Sequence, residues 1–284
     1  RDYYASRGLG DVYKRQSINY INDSQMTLSF NEYILPLKLE RILKNKNLNI
    51  SYTGNNTYEI AYKSKCKIKA ESIILSKGGG YIAGDNCLIK KTSTKLYAAL
   101  SDGMGSGLKA YEASKALLKR LEGLINLPYD DEKIIRLLTE LSHISLFTSS
   151  YATLDFFSAN LATKKGKLFK IASSTSLLIR NNQIKEFNTK TLPIDFDGIL
   201  DLYEIDLEKN DIILLMSDGV FDFSNIKALY SYILSISYLE PDKLVYNIAK
   251  YIFNESNKKL HDDTSILAIK VYYCLLYTSP SPRD

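Results

Sequence analysis

Four short acidic motifs carry the chemistry of this sequence: Gly84-Asp85-Asn86, Ser101-Asp102-Gly103-Met104-Gly105-Ser106-Gly107, Ser217-Asp218-Gly219-Val220-Phe221-Asp222 and Asp262-Asp263-Thr264-Ser265. Each sets an aspartate at the start or end of an apolar, β-like run. Strands converging there would bring four or five carboxylates to one spot. Carboxylates packed that closely repel, and each raises the other's pKa. Such a cluster is sensible mainly when divalent cations hold it together, and hard all-oxygen ligation points to Mg²⁺ or Mn²⁺. A single Ser-Asp-Gly is more often a plain turn, so the weight rests on the four motifs together.

The elements that must position these aspartates are legible from periodicity. Apolar residues at helical spacing predict a helix over Asn31–Lys46, with Pro36 near its start. After the Thr53–Asn56 turn, strands are expected at Tyr58–Tyr62 and Ile68–Leu75. Gly78-Gly79-Gly80 lacks the lysine of a phosphate-binding loop and any evident helix after it, so it reads as a tight connection. Tyr81–Ile89 and Lys95–Ser101 read as a strand hairpin. A long helix is expected over Leu108–Ile125, with Ala110, Ala113, Ala116, Leu117, Leu121 and Leu124 as its buried stripe, and a second over Asp131–Phe147. Strands follow at Tyr151–Asn160, Lys167–Ala172, Leu177–Arg180 and Gln183–Phe187, with Asn181-Asn182 as a hairpin turn. Ile212–Met216 reads as a buried strand, Asn225–Leu239 and Asp242–Asn254 as helices, and Ser265–Val271 as the closing strand. Strands, two helices, then strands, helices and a strand make an α+β order.

The ends look foreign. With one choice of codons, the reverse complement of Cys274–Asp284, shifted by one base, translates as the SRGLGDVYKR that begins at Ser6. Two protein segments have no reason to be antisense copies, so residues 1–16 and 274–284 are read as translated sequencing adaptor and excluded from fold reasoning. The formal charge of +5 then falls to about +3, too mild to imply nucleic acid. Cys66 and Cys87 form no Cys-x-x-Cys, which argues against a zinc site or disulfide scaffold and fits a reducing cytoplasm. No apolar run reaches the roughly 18 residues of a membrane span.

The motifs also carry a resemblance. The run from Lys77 to Asp85, the SDGMGSG stretch, Tyr151–Asp155, the SDGVFD stretch and the DDTS run occur in the order and approximate spacing of the PPM family of metal-dependent protein phosphatases. They most closely resemble the phosphatase domain of stage II sporulation protein E. The resemblance implies an α-β-β-α sandwich, two antiparallel sheets flanked by helix pairs. It implies a phosphatase domain over residues 73–273, preceded by a linker or regulatory segment over 17–72. It also implies two Mn²⁺ or Mg²⁺ ions. Asp85 and Asp102 fall at the first two ligand positions, with Asp102 bridging the ions and the Gly103 carbonyl helping to bind one. Asp218 falls at the second metal. Either Asp262 or Asp263 supplies the last ligand, and Asp222 matches an outer, weaker metal position. Ser265 stands where the family usually has Thr, and Met104 where eukaryotic relatives often carry a His.

The function this resemblance implies is that of a protein serine/threonine phosphatase. In the family, a metal-activated hydroxide attacks phosphorus directly, so no cysteine nucleophile is needed; Asp85, Asp102 and Asp218 would be the catalytic set. The implied substrate is a phosphorylated anti-anti-sigma factor, whose dephosphorylation leads to sporulation sigma-factor activation. No nucleic-acid partner is expected. Membrane attachment would come only through a missing upstream region of an otherwise cytoplasmic domain, and a homodimer is an open expectation. Two rivals stand: a partner-switching phosphatase of a stress-response pathway, and a catalytically silent docking module. Against the second, a silent module has no need to keep so many repelling carboxylates. His261 is expected to be a solvated neighbour and His143 structural. Asp155 is either a strand-end turn residue or a link between the helix pair and the site. The helices beside the site are a secondary candidate for a regulatory switch.

Overall fold

The computed structural model describes residues 15–22, 25–31, 33–43, 47–144, 152–189, 201–222 and 225–273. Two five-stranded sheets form the centre. The front sheet has the order β12 (Asp201–Asp206), β9 (Lys165–Ile171), β8 (Leu154–Asn160), β7 (Lys95–Ser101), β6 (Asn86–Lys91). The back sheet has the order β11 (Gln183–Phe187), β10 (Ser176–Arg180), β13 (Ile212–Met216), β14 (Thr264–Tyr273), β5 (Cys66–Leu75). Neighbouring strands are antiparallel throughout.

Alternation along each strand builds the layers, because successive side chains point to opposite faces. On β7, Leu96, Ala98 and Leu100 enter the core between the sheets, where they meet Ile213, Leu215, Leu267, Ile269 and Val271 of the back sheet. The intervening Tyr97 and Ala99 face outward under α2 (Leu108–Leu124) and α3 (Asp131–Ile144), packed with Leu118, Leu121, Ile134 and Leu138. On the far side, Leu214, Met216, Ile266 and Ala268 lie under α4 (Ile226–Ile236) and α5 (Pro241–Glu255). Strands covered on both faces read as unbroken apolar runs, which is why Ile212–Met216 was legible. The architecture is the expected α-β-β-α sandwich.

Four local expectations are corrected. The helix at Asn31–Lys46 is α1 (Pro36–Leu43), beginning at the proline whose missing N–H suits a first turn; residues 44–46 lie outside the described residues. Tyr81–Gly84 is not strand: β6 starts only at Asn86. The buried stripe of α2 is Ala110, Ser114, Leu118, Leu121 and Leu124; Ala113 and Leu117 are half-buried beside it, and Ala116 is exposed. The boundary drawn between residues 72 and 73 falls inside β5, a strand that pairs with β14 along its whole length. Tyr151 and residues 145–147, assigned to a strand and a helix, lie outside the described residues.

Ahead of the sandwich stands a four-stranded antiparallel sheet, β1 (Arg15–Asn22), β2 (Gln25–Phe30), β4 (Thr57–Tyr62), β3 (Leu48–Gly54), which α1 covers. β1 takes in Arg15 and Gln16, two residues assigned to the adaptor. Its small core gathers Leu28, Phe30, Ile34, Leu39, Tyr58 and Ile60. The buried Tyr58 hydroxyl accepts from the Ile34 N–H (2.7 Å) and donates to the Ile34 carbonyl (2.5 Å), closing the approach to the helix.

Candidate metal centre

Antiparallel register alone assembles the aspartates in pairs. Asp85 directly precedes β6 and Asp102 directly follows β7, and Asn86 lies opposite Ser101. Asp218 follows β13 and Asp262 precedes β14, with Met216 opposite Ile266. Each pair therefore stands at one end of its sheet. Stacking of the sheets brings the pairs together, so that Asp102 feels the charges of Asp85, Asp218 and Asp262.

Local bonds fix the turns. The Asp102 N–H donates to Thr153 Oγ1 (3.1 Å), its carbonyl accepts from the Thr153 N–H (2.8 Å), and Ser101 Oγ donates to the Thr153 carbonyl (2.7 Å). Gly103 bridges Ala152 in the same stretch. It must be glycine: a Cβ there would stand 2.0 Å from the Ala110 carbonyl oxygen in the first turns of α2. On the other sheet, Ser217 N–H donates to the Ser265 carbonyl (3.0 Å) and Ser265 N–H to Ser217 Oγ (2.8 Å). A Cβ on Gly219 would meet the Asp263 carbonyl oxygen at 2.1 Å, so that glycine lets the two acidic turns touch.

The electrostatics are those of crowded, partly desolvated carboxylates. Asp85 is buried, and among the described residues neither of its carboxylate oxygens has a hydrogen-bond partner. Burial pushes its pKa up to about 6, with Ser265, Asp102 and Ser217 offsetting part of the rise. Asp102 is pushed up to about 9, by burial first and then by Asp85, Asp218 and Asp262. Asp218, exposed at the mouth, is raised by partial desolvation first and then by Asp262 and Asp222.

The neighbouring acids in the last motif differ in what they touch. Asp263 is buried, and both its oxygens are engaged: Oδ1 by the Lys77 N–H (2.6 Å) and Oδ2 by the Gly84 N–H (2.5 Å). Asp262 is half-buried, accepts from the Asp263 N–H (2.8 Å), and lies near enough to Asp102 and Asp218 to raise both. Asp222 lies at the outer side of the cluster, near enough to Asp218 to raise it. It is exposed and lines a cleft of about 230 Å³ with Gly219, Asn225, Glu255, Asn257 and His261. His261 is exposed, as expected.

A divalent cation fits this donor set. A buried carboxylate with no partner is costly unless paired or metal-bound, and Asp85 is one. Among the described residues, no three His, Cys, Asp or Glu side chains converge tightly enough to close a cage around one ion. Mg²⁺ asks for no such cage: it keeps several waters and takes one or two carboxylates. The Gly103 carbonyl oxygen lies 3.6 Å from where a Cβ on Gly84, the residue before Asp85, would stand. Cysteine chemistry does not compete, since burial and Asp85 push the Cys87 thiol up to about 12 and Cys66 is buried against the Leu161 carbonyl.

Sequence reasoning missed the polar residues that hold the turns. Ser114, within the α2 stripe, donates to the Gly84 carbonyl (2.5 Å) and accepts from Asn86 Nδ2 (2.8 Å). A serine at i+4 from Ala110 in an apolar stripe was its visible signal. Asp155 is neither a turn residue nor a direct link to the helices: it sits mid-sheet, buried, paired with Lys170 of the neighbouring strand. The described residues do not include the side chain of His143.

Comparison with known proteins agrees with this fold. A family model described as Stage II sporulation protein E (SpoIIE) matches residues 92–272. Stage II sporulation protein E of Bacillus subtilis (strain 168) is 29% identical over 153 residues, which are 52% of this chain and 18% of that protein. The chain thus spans about a fifth of the length of that relative. Among solved structures, the PP2C phosphatase domain with a fragment of the regulatory domain of SpoIIE from Bacillus subtilis superimposes with a TM-score of 0.73 at 18% identity, covering 95% of this chain and 87% of that one. The catalytic domain of the serine threonine protein phosphatase PstP in complex with two manganese ions superimposes with a TM-score of 0.56 at 15% identity, covering 72% and 98%. Asp85 lies outside the residues the family model matches, so its place rests on its geometry at the sheet end.

Proposed function

The chain belongs to the stage II sporulation protein E (SpoIIE) family, and from that premise we propose that it is a metal-dependent protein serine/threonine phosphatase. The observation that carries the reading is the buried, unpartnered Asp85 carboxylate beside the strongly raised Asp102, at the end where both sheets deliver aspartates. Asp85, Asp102, Asp218 and Asp262, with the Gly103 carbonyl, would hold two Mn²⁺ or Mg²⁺ ions, and Asp222 would serve a weaker outer position. Such ions supply a water activated for attack on phosphorus and a clamp for the phosphoryl oxygens.

The chain's own residues do the rest. Thr153 brackets the Asp102 peptide on both sides and so fixes where that carboxylate points. The reciprocal Ser217–Ser265 bonds hold the turn that carries Asp218 against the strand that follows Asp262. Preorganised ligands of this kind cost no reorganisation at the moment of reaction. Asp218 and Asp222 are exposed, so the centre opens to solvent where a phosphorylated segment of another protein can reach it.

The substrate in this reading is a phosphoserine or phosphothreonine of an anti-anti-sigma-factor-like protein, and the pathway sporulation sigma-factor activation. Among the described residues no helix is long and apolar enough to cross a membrane. The deciding experiment measures phosphate release from a phosphorylated anti-anti-sigma factor, with and without Mn²⁺, beside Asp102→Ala. Mn²⁺-dependent release that the variant loses supports the reading. Full activity in a folded Asp102→Ala protein refutes the assigned centre, and release only from stress-pathway homologues of the substrate moves the enzyme to that pathway.

A further inference from the structure

The loop from Lys77 to Gly84 carries the chain from the back sheet to the front sheet, leaving β5 and delivering Asp85 to the start of β6. Gly78 and Gly79 give it left-handed turns, at φ 62° and 75°. Such a loop is a poor support for a metal ligand unless something outside it fixes its ends.

Asp263 touches both ends. One carboxylate oxygen takes the Lys77 N–H, where the loop begins, and the other takes the Gly84 N–H, where it finishes. On the opposite side of the same residue, Ser114 Oγ of α2 donates to the Gly84 carbonyl. The approach is tight: a Cβ on Gly84 would come within 2.9 Å of the Ala110 Cβ and 3.3 Å of Asp263 Oδ2. The next residue is Asp85, whose own carboxylate makes no hydrogen bond among the described residues. Its direction then depends on the backbone, which Asp263 and Ser114 hold, and on the neighbouring Ser217, Ser265 and Asp102 side chains. Through its carbonyl, Asp263 also accepts from Ser217 Oγ (3.2 Å), in the turn that carries Asp218.

We propose that Asp263 is a positioning residue: its carboxylate staples the two ends of the Lys77–Gly84 loop and so orients Asp85. A carboxylate suits this role. Two oxygens accept from two N–H groups at once, and ionised acceptors make the stronger bonds. An asparagine has one acceptor oxygen, and its amide would turn an N–H toward one of the two backbone donors. The inference rests on the metal-centre reading for its consequence, though not for its geometry.

The test uses the full chain as Asp263→Asn and Asp262→Asn, with amide hydrogen exchange on the metal-free protein and Mn²⁺ titration by calorimetry. In Asp263→Asn, exchange at Lys77 and Gly84 should speed by about tenfold or more while core amides such as Leu267 keep their protection. Mn²⁺ affinity should fall roughly 10- to 100-fold, the usual loss for an outer-shell residue, with turnover recovering at saturating Mn²⁺. In Asp262→Asn, exchange at both amides should stay unchanged, while Mn²⁺ affinity falls and turnover does not recover. Unchanged exchange in Asp263→Asn, or faster exchange in Asp262→Asn, overturns the staple. If Asp263→Asn fails to fold, Ser114→Ala decides: it frees the Gly84 carbonyl, and undiminished Mn²⁺ affinity overturns the backbone-held Asp85. A wild-type chain that shows the exchange pattern but no phosphatase activity refutes the enzyme and leaves the staple standing.

Discussion

Replacing Lys170 by methionine tests a fully buried charge of the sandwich. The side chains of Lys170 and Asp155 are 0% and 1% exposed, and they face each other across β8 and β9. All three ammonium donors are used: on Asp155 Oδ1 at 2.5 Å, the Ser174 carbonyl at 2.6 Å and Ser176 Oγ at 2.7 Å. Asp155 also accepts from Ser173 Oγ at 2.6 Å and Ser176 Oγ at 3.0 Å. Burial raises the Asp155 carboxyl and lowers the Lys170 ammonium, so each charge is disfavoured alone and held only by the other.

The pair adds little net stability, yet losing one partner leaves a buried charge behind and costs about 3–5 kcal/mol. At about 2–4 °C per kcal/mol for a domain of this size, Lys170→Met should lower Tm by roughly 6–20 °C. The sign with pH comes from the stranded acid. In the variant the buried Asp155 keeps its proton in the folded state above the pH at which the unfolded chain loses it. Stability then falls as pH rises from about 4, by up to about 1.4 kcal/mol per pH unit, until the folded carboxyl titrates. The deficit against wild type should thus be larger at pH 8 than at pH 5 in urea unfolding. Adding Asp155→Asn, which keeps partners in Ser173 and Ser176 without the charge, should recover much of the loss. A Lys170→Met cost below about 1 kcal/mol, or single losses that add to within about 0.5 kcal/mol in the double variant, would refute the buried-pair account.

The metal centre yields two more expected outcomes. Gly103→Ala drives a Cβ against the Ala110 carbonyl oxygen, so either α2 or the Asp102 turn must move; Tm should fall by several degrees and Mn²⁺ affinity with it, read by thermal melting and calorimetry. Because Asp102 titrates near 9 and Asp85 near 6 without metal, Mn²⁺ must displace about one proton at pH 7 and closer to two at pH 5. Calorimetry in two buffers of different ionisation enthalpy counts these protons, and affinity should drop about tenfold per pH unit on acidification between 9 and 6.

The sandwich was legible because its strands are buried on both faces or bounded by sharp turn signals. β13 is five apolar residues in a row, and β7 lacks any exposed position. The leading sheet was not. Its β3 alternates apolar Leu48, Ile50 and Tyr52 with polar Asn49, Ser51 and Thr53, but none of them is fully buried and Tyr52 is exposed, so it lacks the unbroken apolar run that marked β13. Tyr81 and Ile82 misled in the other direction. Their β-propensity suggested a strand, yet both are exposed, because the loop that holds them is fixed by contacts from Asp263 and α2 and not by pairing.

The aspartates themselves were legible for a geometric reason. In an antiparallel pair, the start of one strand lies beside the end of its neighbour, so acids placed at the start of β6 and the end of β7 meet without any knowledge of tertiary structure. The same holds for the end of β13 and the start of β14. Telling Asp262 from Asp263 is a different problem. Both side chains have the same chemistry, and successive residues near a strand start differ only in which way they point. What separates them are two backbone N–H groups, 186 and 179 residues away in the chain, that take up both oxygens of Asp263. A backbone donor carries no side-chain signature, so no motif could have announced it. The acids proposed as ligands are written in the sequence as residue types, whereas the residue proposed to aim one of them is defined only by what the fold places against it.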